Sequence, residues 1–175
     1  MPWLGGRLVG FLLSDAVYYT GIDVSPETSV GTIAVRDAFM PFVHGKTADL
    51  FLSSFEEFNA PAASFDMAIT SPPYFDTEQY IGGRQSHETH SNYQDWRDGF
   101  YTTLIAKTFS ALKPGGVFVL QVGSQSYPLL ADGKRIAKAH GFIVGDVLES
   151  GMTNNFNETE TMSGEVILPL THPPS

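Results

Sequence analysis

The chain has 175 residues, 42% hydrophobic and 13% aromatic, enough for one domain with a sizeable core. Without a cysteine it can build neither a disulfide framework nor a thiolate metal site. The formal net charge of −9, from 19 acids against 10 Lys and Arg, argues against a surface built to grip phosphates.

That balance suits a small-molecule or protein substrate, or a nucleic-acid enzyme whose gripping part lies elsewhere. No apolar run approaches the roughly 20 residues of a membrane span. The N-terminus also lacks the basic start and apolar core of a signal peptide. The expectation is a cytoplasmic protein with no membrane contact.

A glycine pair, Gly5 and Gly6, precedes helix-period apolar residues that run to Leu13. Such a pair lets backbone approach closely just ahead of a helix N-terminus, where polar groups of a cofactor can be held; a plain turn is the simpler alternative. Residues 17–24, rich in β-branched and aromatic types, read as a strand ending at Asp23. Ser25 and Pro26 follow as cap and first-turn proline of a helix. An acid at this point is where Rossmann-like folds bind ribose hydroxyls, although Asp23 could simply cap the helix.

From Ser25 to about Phe42 the pattern is helical, with Val30, Ile33, Ala34, Ala38 and Phe39 on one face and Pro41 ending it. Residues 48–54 form the next strand, and Ser53 and Ser54 at its end are adenine-contact candidates. One helical turn over 55–58 and a loop over 59–64 lead to Phe65.

The most informative stretch runs from Phe65 to Asp76. It begins as a buried-strand pattern (Met67, Ala68, Ile69) and stops at Ser71, Pro72, Pro73 and Tyr74. Proline cannot donate to a ladder and biases the preceding residue towards extended backbone. The strand therefore presents a stiff segment at its carboxyl end, the edge where open α/β sheets bind ligands. A hydroxyl, two carbonyls outside regular pairing and an aromatic ring meet there. These groups suit an exocyclic base amine, whose lone pair is delocalised into the ring. The Ser71 hydroxyl and Pro72 carbonyl could accept its hydrogens and turn the lone pair towards an electrophile. Tyr74 could stack on a base swung out of its duplex.

Residues 77–92 are polar and aperiodic, as in a loop that closes over a target base. His87 and His90 lack convincing further ligands, and no metal is expected. An amphipathic helix over 93–112 carries Trp96, Phe100, Leu104, Ile105, Phe109 and Leu112 on its core stripe. Lys113, Pro114, Gly115 and Gly116 stop it before a buried strand over 117–122, where Gln121 is a further site candidate. A helix over 127–140 bears the basic cluster Lys134, Arg135 and Lys138 on a solvated face. A strand over 142–148, a flexible polar stretch over 151–163 and a last, antiparallel strand over 164–170 complete the chain. No internal repeat and no segment for a separate target-recognition domain is evident.

Thr70-Ser71-Pro72-Pro73-Tyr74 resembles the catalytic motif of the amino-group DNA methyltransferases, an Asp, Asn or Ser followed by Pro-Pro and an aromatic. Those enzymes methylate cytosine N4 or adenine N6 with S-adenosylmethionine, and the Ser form is more typical of the cytosine group. The stretch Phe75–Tyr80 is similar to phage-like members, and Leu-Lys-Pro-Gly-Gly before an apolar strand is common across S-adenosylmethionine-dependent methyltransferases. The resemblance covers about Gly5 to Leu170.

It implies one Rossmann-like methyltransferase domain over 1–175, with a mostly parallel sheet, an antiparallel last strand and a missing first strand. The chain would then begin inside the Gly-rich cofactor turn. It further implies catalytic roles for Ser71, Pro72, Pro73 and Tyr74. Cofactor contacts would come from Gly5, Gly6, Asp23, Ser53 and Gln121, with double-stranded DNA as partner. Two other readings stand beside it. One is a methyltransferase acting on a small molecule or protein. The other is a non-catalytic remnant that pairs its exposed edges in a homodimer.

Overall fold

The computed structural model describes residues 5–76, 86–123, 126–149 and 165–174. The expected loop over 77–92 is therefore described only from Ser86 onward, and the polar stretch 151–163 lies outside the described residues. The chain divides into two compact units. One is formed within residues 5–58; the other takes in 59–76 and the described residues from 86 onward.

In the first unit, α1 (Gly6–Leu13) starts from Gly5 at φ 83°, a left-handed conformation that glycine adopts without a Cβ clash. Leu8, Phe11 and Leu12 are buried with Ala48, and Tyr19, Val35, Met40 and Val43 pack around them. Lys46 closes the end of the helix. Its Nζ donates to the carbonyls of Phe11, Ser14 and Ala16 at 3.3, 2.5 and 2.5 Å and lies over the Phe11 ring. Strands β1 (Tyr18–Asp23) and β2 (Thr47–Leu52) pair in parallel, Tyr18 opposite Thr47 through Asp23 opposite Leu52.

Parallel neighbours need a crossover, and α2 (Pro26–Phe39) with a 3₁₀ turn (Met40–Phe42) provides it. Ser25 caps α2, its Oγ accepting the Thr28 amide at 3.2 Å. The apolar face expected on α2 is not a core face. No α2 residue is fully buried, and Val30 and Phe39 are 69% and 53% exposed. A two-stranded sheet offers too little surface to cover a 14-residue helix.

In the second unit, β3 (Phe65–Thr70) runs parallel to β4 (Leu112–Gly123). Strand β7 (Glu165–Thr171) lies antiparallel to β4, β5 (Ile143–Val144) and β6 (Leu148–Glu149), so every strand of this sheet except the last shares one direction. The order is β3-β4-β7-β5, with β6 also on β7. The single strand expected over 142–148 is thus two short ones. The helix-stopping Pro114-Gly115-Gly116 lies inside β4 as a register shift between Phe65–Leu112 and Met67–Val117, with Gly115 at φ 81°.

The expected helix over 93–112 is a continuous helical run ending at Ala111, made of α3 (Tyr93–Trp96), one π turn (Arg97–Tyr101) and α4 (Thr102–Ala111). Five residues apart, Trp96 and Tyr101 would be splayed by about 140° on an α-helix. The π turn brings both inward, and each is fully buried. Helix α5 (Leu129–Ala139) packs beside α4 and β4.

Phe118, Leu120 and Val122 of β4 are buried on the helix-covered face, together with Leu168 and Leu170 of β7. Met67 and Ile69, expected to be buried, are 56% and 48% exposed. They stand opposite Val117 and Val119 on the other sheet face, on a strand whose one neighbour among the described residues is β4. No helix among the described residues is long and apolar enough to cross a membrane.

Candidate functional site

The site residues named from sequence fall into two groups, one in each unit. In the first unit, Asp23 and Ser53 end the parallel strands β1 and β2 and meet directly, the Ser53 amide donating to the Asp23 carbonyl at 3.0 Å. Asp23 Oδ1 accepts the Ser25 amide at 2.8 Å, so the carboxylate does help start α2. The Ser53 hydroxyl donates to the Ser54 carbonyl at 3.0 Å. Gly5 turns into α1 and its carbonyl accepts from the Val9 amide at 2.7 Å, while a Cβ on Gly6 would meet nothing within 4 Å. Open backbone at a helix N-terminus, with a carboxylate at the carboxyl end of a parallel strand, fits the polar end and the ribose of a nucleoside-bearing cofactor.

In the second unit, β3 delivers Ser71, Pro72, Pro73 and Tyr74 at its carboxyl end, and Pro72 is buried. Ser71 Oγ lies 3.5 Å from the Tyr74 hydroxyl, which donates to Glu165 Oε1 at 3.4 Å. The other carboxylate oxygen accepts from Gln121 Nε2 at 2.6 Å. Gln121 is therefore joined to Tyr74 through Glu165. The Tyr74 ring rests on Gly123, where a Cβ would come within 2.8 Å of it.

Gly123 was legible as the end of a strand beside the site, but neither its contact with the Tyr74 ring nor any role for Glu165 was. The place of Glu165 depends on the register that sets it opposite Gly123, and strand pairing over such a separation leaves no local mark.

The backbone after Tyr74 is staked on its far side. Phe75 is buried at φ 58°, an unusual value for a bulky residue, with ring centroids 6.1 Å from Trp96, 6.3 Å from Tyr93 and 5.5 Å from Tyr127. Asp76 Oδ1 accepts the Tyr127 hydroxyl at 2.7 Å, and Tyr93 stacks on Tyr127 at 4.5 Å. Non-glycine residues at positive φ persist where the surroundings over-determine them. Here the aromatic cluster does so.

The phenols of this cluster stay neutral. Burial raises the Tyr93 hydroxyl well above the ordinary tyrosine range, and its hydrogen bond to Asp132 at 2.8 Å adds to the effect. Burial does the same for Tyr101, whose hydroxyl donates to the Leu129 carbonyl at 3.1 Å. Asp76 raises Tyr127 through their hydrogen bond. Arg135 of the basic cluster pairs with Asp132 at 3.0 Å. Among the described residues, no group of three or more His, Cys, Asp or Glu is placed to hold a metal ion. His90 Nδ1 instead lies 2.8 Å from the Ser86 carbonyl.

No family model and no curated protein matches the chain. Solved structures do. A methyltransferase dependent on S-adenosylmethionine from Methanosarcina mazei aligns over 96% of this chain and 98% of its own, with TM-score 0.56 and 11% identity. Magnesium protoporphyrin IX methyltransferase from Synechocystis PCC 6803, solved with bound S-adenosylmethionine, gives 0.60 at 13% identity over 97% of this chain and 65% of its own. A Thermus thermophilus protein named as a candidate DNA modification methylase, complexed with S-adenosyl-L-methionine, gives 0.51 at 20% identity over 91% of this chain. The chain spans 57% of the length of that protein. Likeness at these identities is one of fold. The architecture is the mixed α/β, Rossmann-like one of S-adenosylmethionine-dependent methyltransferases, with a mostly parallel sheet and an antiparallel last strand.

Proposed function

We propose that the chain is an S-adenosylmethionine-dependent methyltransferase acting on an exocyclic amine of a DNA base, cytosine N4 ahead of adenine N6. A fold does not name a substrate, so the reading rests on the site. The observation that carries it is Ser71-Pro72-Pro73-Tyr74 at the carboxyl end of a parallel strand, with the Tyr74 ring fixed on Gly123 and its hydroxyl beside Ser71. The cofactor supplies an electrophilic methyl group on a sulfonium. Gly5, Gly6, Asp23 and Ser53 would hold it, Asp23 through the ribose, with Gln121 as the candidate from β4.

Ser71 and the Pro72 carbonyl accept hydrogens from the amine and orient its lone pair, and Tyr74 stacks on the base after it leaves the duplex. Residues 1–175 form one methyltransferase domain working in the cytoplasm.

The test is transfer of labelled methyl to duplex DNA by wild type, Ser71→Ala and Tyr74→Ala, with cofactor binding followed by calorimetry. Loss of transfer in both variants with binding retained supports the reading, and unchanged transfer in both sinks it. The net charge of −9 favours a second reading, a small-molecule or protein substrate. Methyl transfer that needs no nucleic acid, or no DNA shift at low salt, would select that one.

A further inference from the structure

We propose that Glu165 is the terminal proton acceptor of the Ser71–Tyr74 hydroxyl pair, so that a carboxylate on the last strand takes up the proton an amine sheds on methylation. The proposal rests on the amine reading above. Methylation forms an N–C bond from the nitrogen lone pair, and the C–S bonding pair stays on the sulfur of the donor. The nitrogen is left cationic and must lose a proton. Ser71 is the nearest side-chain acceptor in the motif, but a hydroxyl gains a proton only as it gives one up. The Tyr74 hydroxyl lies 3.5 Å away, and beyond it Glu165 Oε1 lies at 3.4 Å. These contacts are long, as catalytic hydrogen bonds often are before substrate closes on them.

The carboxylate is held for this task. Its Oε2 takes the Gln121 amide at 2.6 Å, a charge-assisted bond that leaves Oε1 turned to Tyr74. Register puts Glu165 opposite Gly123, and only a missing side chain there admits the Tyr74 ring. Among the described residues, the other titratable groups on the elements packed here are placed elsewhere. Glu149 of β6 pairs with Val166 and so projects from the opposite sheet face. Tyr101 donates to the Leu129 carbonyl, and Asp132 serves Tyr93 and Arg135.

Both Glu165 oxygens accept in the fold; in Glu165→Gln the carbonyl oxygen can still take the Tyr74 hydroxyl, and the new NH2 can meet the Gln121 amide oxygen once that amide flips. Glu165→Gln therefore separates the two roles. With the full chain, single-turnover methyl transfer to a cytosine-containing duplex should fall about 100-fold in Glu165→Gln, a typical contribution of a positioned base. DNA affinity should be unchanged, the solvent deuterium isotope effect on the rate should change, and Glu165→Asp should restore part of the rate. A second readout needs no turnover. In protein labelled with ¹³C at glutamate carboxyls, the chemical shift of the Glu165 signal, identified by its loss in Glu165→Gln, should move in Tyr74→Phe and in Ser71→Ala. Wild-type turnover in Glu165→Gln, or a Glu165 carboxyl signal that ignores both hydroxyl variants, overturns the proposal. A wild-type chain that methylates no DNA overturns the amine reading instead, and the carboxyl signal then decides the hydroxyl–carboxylate link by itself.

Discussion

Gly123→Ala moves Tyr74 without touching it chemically. The added methyl would lie 2.8 Å from Cε2, 3.3 Å from Cδ2 and 3.4 Å from Cζ of the tyrosine ring. Carbon atoms rest at about 3.5–4.0 Å, so the ring must retreat by about 0.7 Å or more. Gly123 is not among the positive-φ residues, so alanine fits its backbone and the strain falls on the ring. Overpacking of this kind costs about 1–3 kcal/mol, towards the low end where one side chain can swing aside. The hydroxyl contacts at 3.5 Å to Ser71 and 3.4 Å to Glu165 are already near their limit and would be lost. Misplacement of about 1 Å can cost about 100-fold in rate, and we expect a loss of about 10- to 100-fold in single-turnover methyl transfer. Thermal denaturation would show a folded protein, and calorimetry an unchanged cofactor affinity. A folded Gly123→Ala chain with the wild-type rate would refute the placement of Tyr74 as the reason for its role.

Phe75 reverses the usual order of alanine and glycine. Either replacement loses the buried ring, at about 3–5 kcal/mol. At φ 58° alanine also bears the left-handed penalty of about 1–2 kcal/mol, so Phe75→Gly should melt no lower than Phe75→Ala. Lys46→Met removes the donor to the carbonyls of Phe11, Ser14 and Ala16 around the end of α1 and should destabilise the first unit by about 1–2 kcal/mol, read by urea denaturation. Gly10 sits inside α1, and a Cβ added there would meet nothing within 4 Å, so Gly10→Ala should stabilise by up to about 1 kcal/mol in the same assay. The Tyr101 hydroxyl ionises in the fold only above its ordinary range. Its contribution is therefore complete below an unfolded pKa of about 10 and is lost as pH rises beyond it. Tyr101→Phe should show a shallower loss of stability above pH 10 than wild type, after a neutral-pH cost of about 1 kcal/mol for the bond to Leu129.

Much of this protein was written locally. Ser25 before Pro26 announces a capped helix, and the cap is there. Two prolines after Thr70 end a strand wherever that strand lies, because proline has no donor to continue it. The alternation of strands and helices pointed to a mostly parallel sheet, and the separate strand after the last helix gave its antiparallel member. What the sequence left open depends on residues far apart in the chain. Apolar periodicity marks a face able to be buried, and whether anything covers it is decided by neighbours; hence Val30, Phe39, Met67 and Ile69 are exposed despite their patterns. The π turn that brings Tyr101 inward has no period of its own to read. Glu165 fell inside the expected last strand with nothing local to single it out. Pairing of β7 with β4 set it opposite Gly123 and beside Tyr74, 91 residues away in sequence, and only tertiary structure makes that meeting.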